Sequence, residues 1–244
     1  MPWWSLALIL ATVTVVAAVR PVQLQSTLYS LPIPLTLGLI GSGSDVSRLQ
    51  PLSVFGVVLF FYIVSGLRVR LGWQAYPATL GSALTILGLL EILALPTVTS
   101  LVWPTAVALA AWLIGATLAL RRLRHISPEP DDRPSIGQVD VISVVAVIPM
   151  LIIVALTAGH IGSVGAMFPF AGMCVSLAVQ TANLSEFADR FAVRSIGLIA
   201  YNTTYAMVAA DLPRAASIGL GWLAYLTLLA ASLQLEREVT KRAA

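Results

Sequence analysis

Apolar residues fill this chain in nine long runs, separated by short polar stretches or by proline and glycine. The runs are Trp3 to Val19, Leu24 to Gly41, Leu52 to Leu67, Ala75 to Leu95, Leu101 to Leu120, Val141 to Ala158, Ser163 to Thr181, Ser195 to Ala210 and Ala215 to Leu233. A helix rises about 1.5 Å per residue and the hydrocarbon core of a bilayer is about 30 Å thick, so each run approximates one crossing. The pattern predicts an all-α, polytopic membrane protein with about nine transmembrane helices. The second run is interrupted by Pro32-Ile33-Pro34, the sixth by Pro149 and the seventh by Pro169.

The longest hydrophilic stretch, Arg121 to Gln138, fixes the topology. It carries four arginines next to an apolar run, and its three prolines oppose a helix. With this loop in the cytoplasm, twelve basic residues fall inside: Arg20, Arg68, Arg70, Arg121, Arg122, Arg124, Arg133, Arg190, Arg194, Arg237, Lys241 and Arg242. Only Arg48 and Arg214 fall outside. The expected orientation in a cytoplasmic (inner) membrane is therefore amino terminus out and carboxyl terminus in. Trp3, Trp4, Trp73, Tyr76 and Trp103 stand at run ends, as interfacial aromatics do.

Composition agrees with this picture and removes several chemistries. Residues are 58% hydrophobic and 10% charged, against roughly 25% charged for soluble domains. Basic residues cluster at run ends with no aromatic interleaving, so no nucleic-acid partner is expected. The first run is followed by Arg20, the reverse of a secretory signal's charge order, and is read as a membrane helix. Cys174 is the single cysteine, which precludes an internal disulfide and a cysteine-rich metal site. No Walker-type loop occurs, the single lysine lies in the tail, and Gly41-Ser42-Gly43-Ser44 has no nearby histidine to act as a base. No enzyme activity, metal or cofactor is expected.

Runs one to four overlay on runs six to nine through their proline-broken members, Pro32 and Pro34 matching Pro169. This predicts an inverted 4+1+4 repeat: residues 1–98 form the first four-helix unit, 99–138 a linker helix and cytoplasmic loop, and 139–244 the second unit with a charged tail. Inverted repeats recur in secondary transporters, whose sites lie near paired interrupted helices. Proline removes an N–H and frees a carbonyl, which persists in lipid only where protein or a water-lined cavity satisfies it. Kinking for packing explains the same prolines.

The run Ala166-Met167-Phe168-Pro169-Phe170, followed by Ser185-Glu186 and Arg194, resembles the GlpM family of small four-helix bacterial inner-membrane proteins. The likeness covers Val141 to Leu233. Asp45 and Arg48 stand in the first half where Glu186 and Arg194 stand in the second. The resemblance implies work on envelope polysaccharide or its carrier lipid.

Individual residues carry open alternatives. Glu91 is the acid within a predicted span: a proton- or cation-coupling carboxylate, or one that reaches the outer interface near Pro96. Arg190 and Arg194 could grip an anionic headgroup or serve as positive-inside anchors. Asn202, with Thr203 and Thr204, reads as an interhelical hydrogen-bonding group or a substrate ligand. His160 lies in an outer turn. The expected function is a small transporter or flippase for a polyprenyl-linked or anionic envelope precursor, with its site between the second and seventh runs. The alternative is a scaffold or assembly subunit that holds envelope-biosynthesis proteins among membrane lipids. A polar cavity at the broken helices marks the first, and solid packing with small-residue seams marks the second.

Overall fold

A computed structural model describes residues 21–42, 48–94, 100–125 and 170–241, with residues 8, 11, 12, 15, 16 and 19 before them. All of its regular structure is helical, with no strand among the described residues. The helices are α1 (Val22–Ser30), α2 (Ile33–Ser42), α3 (Gln50–Ser65), α4 (Ala75–Ala94), α5 (Val102–Leu123), α6 (Phe170–Ala178), α7 (Leu184–Arg194), α8 (Ile196–Val208) and α9 (Arg214–Lys241). Three stretches are long and apolar enough to cross a membrane: α3 with its extension to Arg70, α5 and α9. The sixth run, the arginine-rich loop beyond His125, His160 and Pro169 lie outside the described residues.

Local chemistry explains the element ends. Pro32 has no N–H to continue α1, so Leu31 turns extended (ψ 133°) and its own N–H falls back on the Leu28 carbonyl. The second run is therefore two helices. At the far end of α3, Gly66–Arg70 widens into a π turn, closed by the Leu71 N–H on the Gly66 carbonyl at 3.3 Å. Gly72 follows at φ +66°, a backbone region where only glycine is unstrained. The turn aims Arg68 at α6, where its guanidinium donates to the carbonyls of Ser176 (2.5 Å) and Val179 (3.3 Å) and to Thr181 Oγ1 (2.7 Å). A cation thus closes the carbonyl end of that helix, as the helix dipole favours.

One difference from the sequence pattern organises the molecule. Residues between the seventh and eighth runs read as a polar link on composition, yet they form α7, buried against α1, α3, α5, α8 and α9. Its residues sort by helical spacing. Phe187 and Phe191 face the rings of Tyr29 and Phe61, at centroid distances of 4.9 to 5.9 Å. Ala192 and Val193 meet Ala116, Ala119 and Leu123 of α5, and Trp112 donates its indole N–H to the Val193 carbonyl at 3.1 Å. Glu186, Arg190 and Arg194 form a third stripe at intervals of four. At 11 residues, α7 is about 16 Å long, too short to cross a bilayer.

Among the described residues, the antiparallel pair α8 and α9 makes the most extensive helix contact. It closes through a reciprocal motif, Gly197 and Tyr201 on one helix against Gly221 and Tyr225 on the other. A Cβ at Gly197 would stand 2.7 Å from the Tyr225 ring, and one at Gly221 would stand 3.1 Å from the Tyr201 ring. Each glycine is the socket for the other helix's tyrosine. Both hydroxyls then reach across the Pro32 break: Tyr225 to Ser30 Oγ at 3.1 Å and Tyr201 to Thr36 Oγ1 at 3.0 Å. Trp222 donates its indole N–H to the same Thr36 oxygen at 3.0 Å.

Candidate functional site

The charged stripe of α7 meets the last turns of α9 and the first turns of α1. Arg190 donates through Nε to Glu186 at 2.7 Å and through Nη1 to Glu236. Arg194 faces the same carboxylate, with Nη2 to Oε2 at 3.0 Å and Nε to Oε2 at 3.1 Å. Its Nη1 donates to the Gln23 carbonyl (2.6 Å), Ser26 Oγ (2.5 Å) and Thr27 Oγ1 (2.8 Å). Arg194 and Glu236 expose only 3% and 5% of their side chains. Arg194 is therefore a latch between the first half of the broken run and the end of α9.

A second arm lies on the neighbouring face. The Tyr62 hydroxyl donates to Asp189 Oδ1 at 2.8 Å, and Arg122 at the end of α5 lies 3.4 Å from the same oxygen and over the Tyr62 ring. Three carboxylates (Glu186, Asp189, Glu236) thus face three arginines (Arg122, Arg190, Arg194). The cluster is internally neutral. Burial of this kind is tolerated only with such pairing, because an unpaired ion in an apolar interior costs several kcal/mol, about as much as a good pair returns.

Burial shifts two of these groups. It lowers the Arg194 guanidinium below its ordinary value, Glu236 opposing that fall and Arg190 adding to it. Arginine starts so high that it remains a cation. Asp189 is raised above the ordinary carboxylate value, mainly by burial and slightly by Glu186, although Tyr62 and Arg122 both pull it down. A raised carboxyl binds its proton more tightly in the folded chain than in the unfolded one. Its contribution to stability is therefore largest in acid and falls as pH rises from the unfolded value through the higher folded value. Asp189→Asn keeps an acceptor for Tyr62 and leaves Arg122 to solvent, where 54% of that side chain already lies. We expect this variant to be at least as stable as the parent at neutral pH and to lose that part of the pH dependence, as thermal unfolding at stepped pH would show. A marked loss of stability at pH 7 would contradict it.

The other residues singled out by sequence are dispersed. Pro32 is buried at the helix break and Pro34 is half-buried in α2. Glu91 sits in α4, its side chain outside the described residues, and Pro169 is outside them altogether. Asn202 is 1% exposed in α8, and among the described residues neither its amide nitrogen nor its oxygen has a hydrogen-bond partner. An unsatisfied buried amide costs about 1–3 kcal/mol, so Asn202→Leu should stabilise by a similar amount in a denaturant titration. Destabilisation would mean that the amide has a partner.

Where the second and seventh runs approach each other, Tyr29, Phe61, Met173 and Cys174 share one apolar cluster. The Pro32 break is filled as well: Leu31, Leu35 and Leu39 pack on Tyr201, Tyr225 and Leu229. Sequence reasoning paired Arg190 with Arg194 but missed their partner. Glu236 read as the start of a charged tail, whereas the buried face of α9 runs Ser217, Gly221, Tyr225, Leu229, Ser232, Glu236. That spacing of four, four, four, three and four was the available signal. Among the described residues no three His, Cys, Asp or Glu side chains converge as a metal site.

No family model, curated protein or solved structure matches this chain.

Proposed function

We propose that the chain is a membrane-embedded assembly subunit, a non-catalytic scaffold that works among envelope-biosynthesis proteins of the cytoplasmic membrane. One observation carries this reading. The break at Pro32 is clamped by Tyr201 and Tyr225 and packed with leucines, the filling expected of a structural kink. Glycine sockets on α8 and α9, and the alanine seam of α5, are the close helix contacts expected of a solid bundle. The nine-crossing topology with the amino terminus outside remains part of the proposal. It is supported by the run ends read as cytoplasmic, at Gln23, Ser65, Arg122 and Glu236, all of which border α7. The likeness to the GlpM family points to envelope polysaccharide as the setting.

A second reading, a small carrier or flippase for a polyprenyl-linked or anionic precursor, rests on the α7 network. A buried cluster with two arginines on one carboxylate can exchange partners, so it could act as the inner latch of a rocking bundle with Glu91 as its coupling carboxylate. Scrambling of a fluorescent phosphatidylglycerol in proteoliposomes separates the two. The scaffold reading predicts the protein-free rate, together with a discrete protein adduct from a photocrosslinker placed in cells at Leu113, which is 60% exposed. Scrambling above background that changes in Glu236→Gln would favour the carrier. Loss of its pH dependence in Glu91→Gln would then assign the coupling.

A further inference from the structure

Beside the network, a groove of about 340 Å³ opens between the end of α3, the end of α5 and the first turn of α7. Its polar wall holds Arg70, Arg122, Tyr62, Ser65 and Ser185, and its apolar wall includes Gly115 and Leu118. Both α3 with its π turn and α5 are long enough to cross a membrane, and these are their arginine-bearing ends. The two walls therefore lie at one bilayer interface, the polar one toward headgroups and the apolar one toward acyl chains. Arg70 makes no ion pair among the described residues, and Arg122 gives Asp189 one nitrogen at 3.4 Å while 54% of its side chain is exposed. Two residues apart, Arg68 and Arg70 point to different sides of the helix end: Arg68 is consumed by α6 and Arg70 lines the groove.

We propose that this groove binds a phospholipid with an anionic headgroup. Arg70 and Arg122 take the phosphate with charge-assisted bonds, the hydrogen-bonded Ser65 and Ser185 hydroxyls, 2.8 Å apart, offer one further donor, and an acyl chain lies along Gly115 and Leu118. Gly115 leaves the chain room, since an added Cβ there meets nothing within 4 Å. The site serves a scaffold and a carrier equally, so it does not rest on the choice between them.

Native mass spectrometry of the detergent-solubilised chain with phosphatidylglycerol or phosphatidylcholine tests it. The wild type should retain phosphatidylglycerol about thirtyfold more tightly than phosphatidylcholine, the effect of two arginines at a membrane surface. Arg70→Gln with Arg122→Gln should erase that preference, and Gly115→Phe, which keeps both charges, should weaken phosphatidylglycerol binding by blocking the chain. Arg70→Gln alone, which leaves Asp189 and Tyr62 untouched, should remove part of it at unchanged melting temperature. Arg121→Gln, outside the groove, should change nothing. An equal loss in Arg121→Gln would overturn the site in favour of diffuse surface charge. Displacement of the lipid by millimolar inorganic phosphate, with Gly115→Phe indifferent, would overturn it in favour of a free-anion site.

Discussion

Glu236→Ala is expected to lose about 3–5 kcal/mol of stability, the range seen when one partner of a buried ion pair is removed. Two guanidinium groups converge on this one carboxylate, and its removal leaves Arg194 at 3% exposure with hydroxyls and a carbonyl but no counter-charge. Glu236→Gln keeps the volume and an acceptor and should lose less. Removing Arg194 as well, in Glu236→Gln with Arg194→Gln, should recover part of the loss because neither charge is then orphaned. Unfolding in mixed micelles, followed by tryptophan fluorescence, measures all three. Equal stability of Glu236→Ala and the parent would show that the carboxylate is solvated, as a charged tail would be.

Gly197→Ala carries the second large effect. Overpacking a filled interface costs about 1–3 kcal/mol, and here the intruding Cβ meets Tyr225 ring atoms at 2.7 and 2.8 Å and its carbonyl at 3.2 Å. The ring has little freedom to yield, because its hydroxyl is held by Ser30 and its face by Trp222 at a centroid distance of 5.7 Å. Gly221→Ala meets the Tyr201 ring at 3.1 Å and should cost less, while Gly219→Ala, with open space, should be neutral or slightly stabilising. The order Gly197, Gly221, Gly219 is the result to check by the same unfolding measurement. Gly197→Ala should also loosen the Tyr225 grip on α1, and hence the packed break on which the scaffold reading stands.

What could be read from sequence followed from length and hydropathy. Helices α4 and α5 begin and end within a few residues of the fourth and fifth apolar runs, because charges and prolines at the run ends act locally. The α1–α2 break was legible in Pro32-Ile33-Pro34, since the missing N–H acts locally. The setting of that break was not: whether a cavity or a pair of tyrosines fills it depends on residues 165 to 195 positions away. α7 failed as a prediction because charge density was weighed above periodicity. Its Glu186, Arg190 and Arg194 read as a polar link with topology anchors until the intervals of four, and the Leu184, Phe187, Ala188 and Phe191 face beside them, are given equal weight. Glu236 was lost for the same reason. Pairing across 42 to 46 positions leaves no local mark beyond the continued stripe on α9.

Everything above depends on α7 being an interior helix and not a surface loop. Cysteine accessibility reads this directly, in a chain whose single native Cys174 is replaced by alanine. Ser185→Cys, at the exposed position of the first turn, should react with a water-soluble maleimide, whereas Ala188→Cys and Ala192→Cys, each at 1% exposure in the parent, should stay unlabelled until the protein is unfolded. Rapid labelling at all three positions in the folded protein would contradict the account.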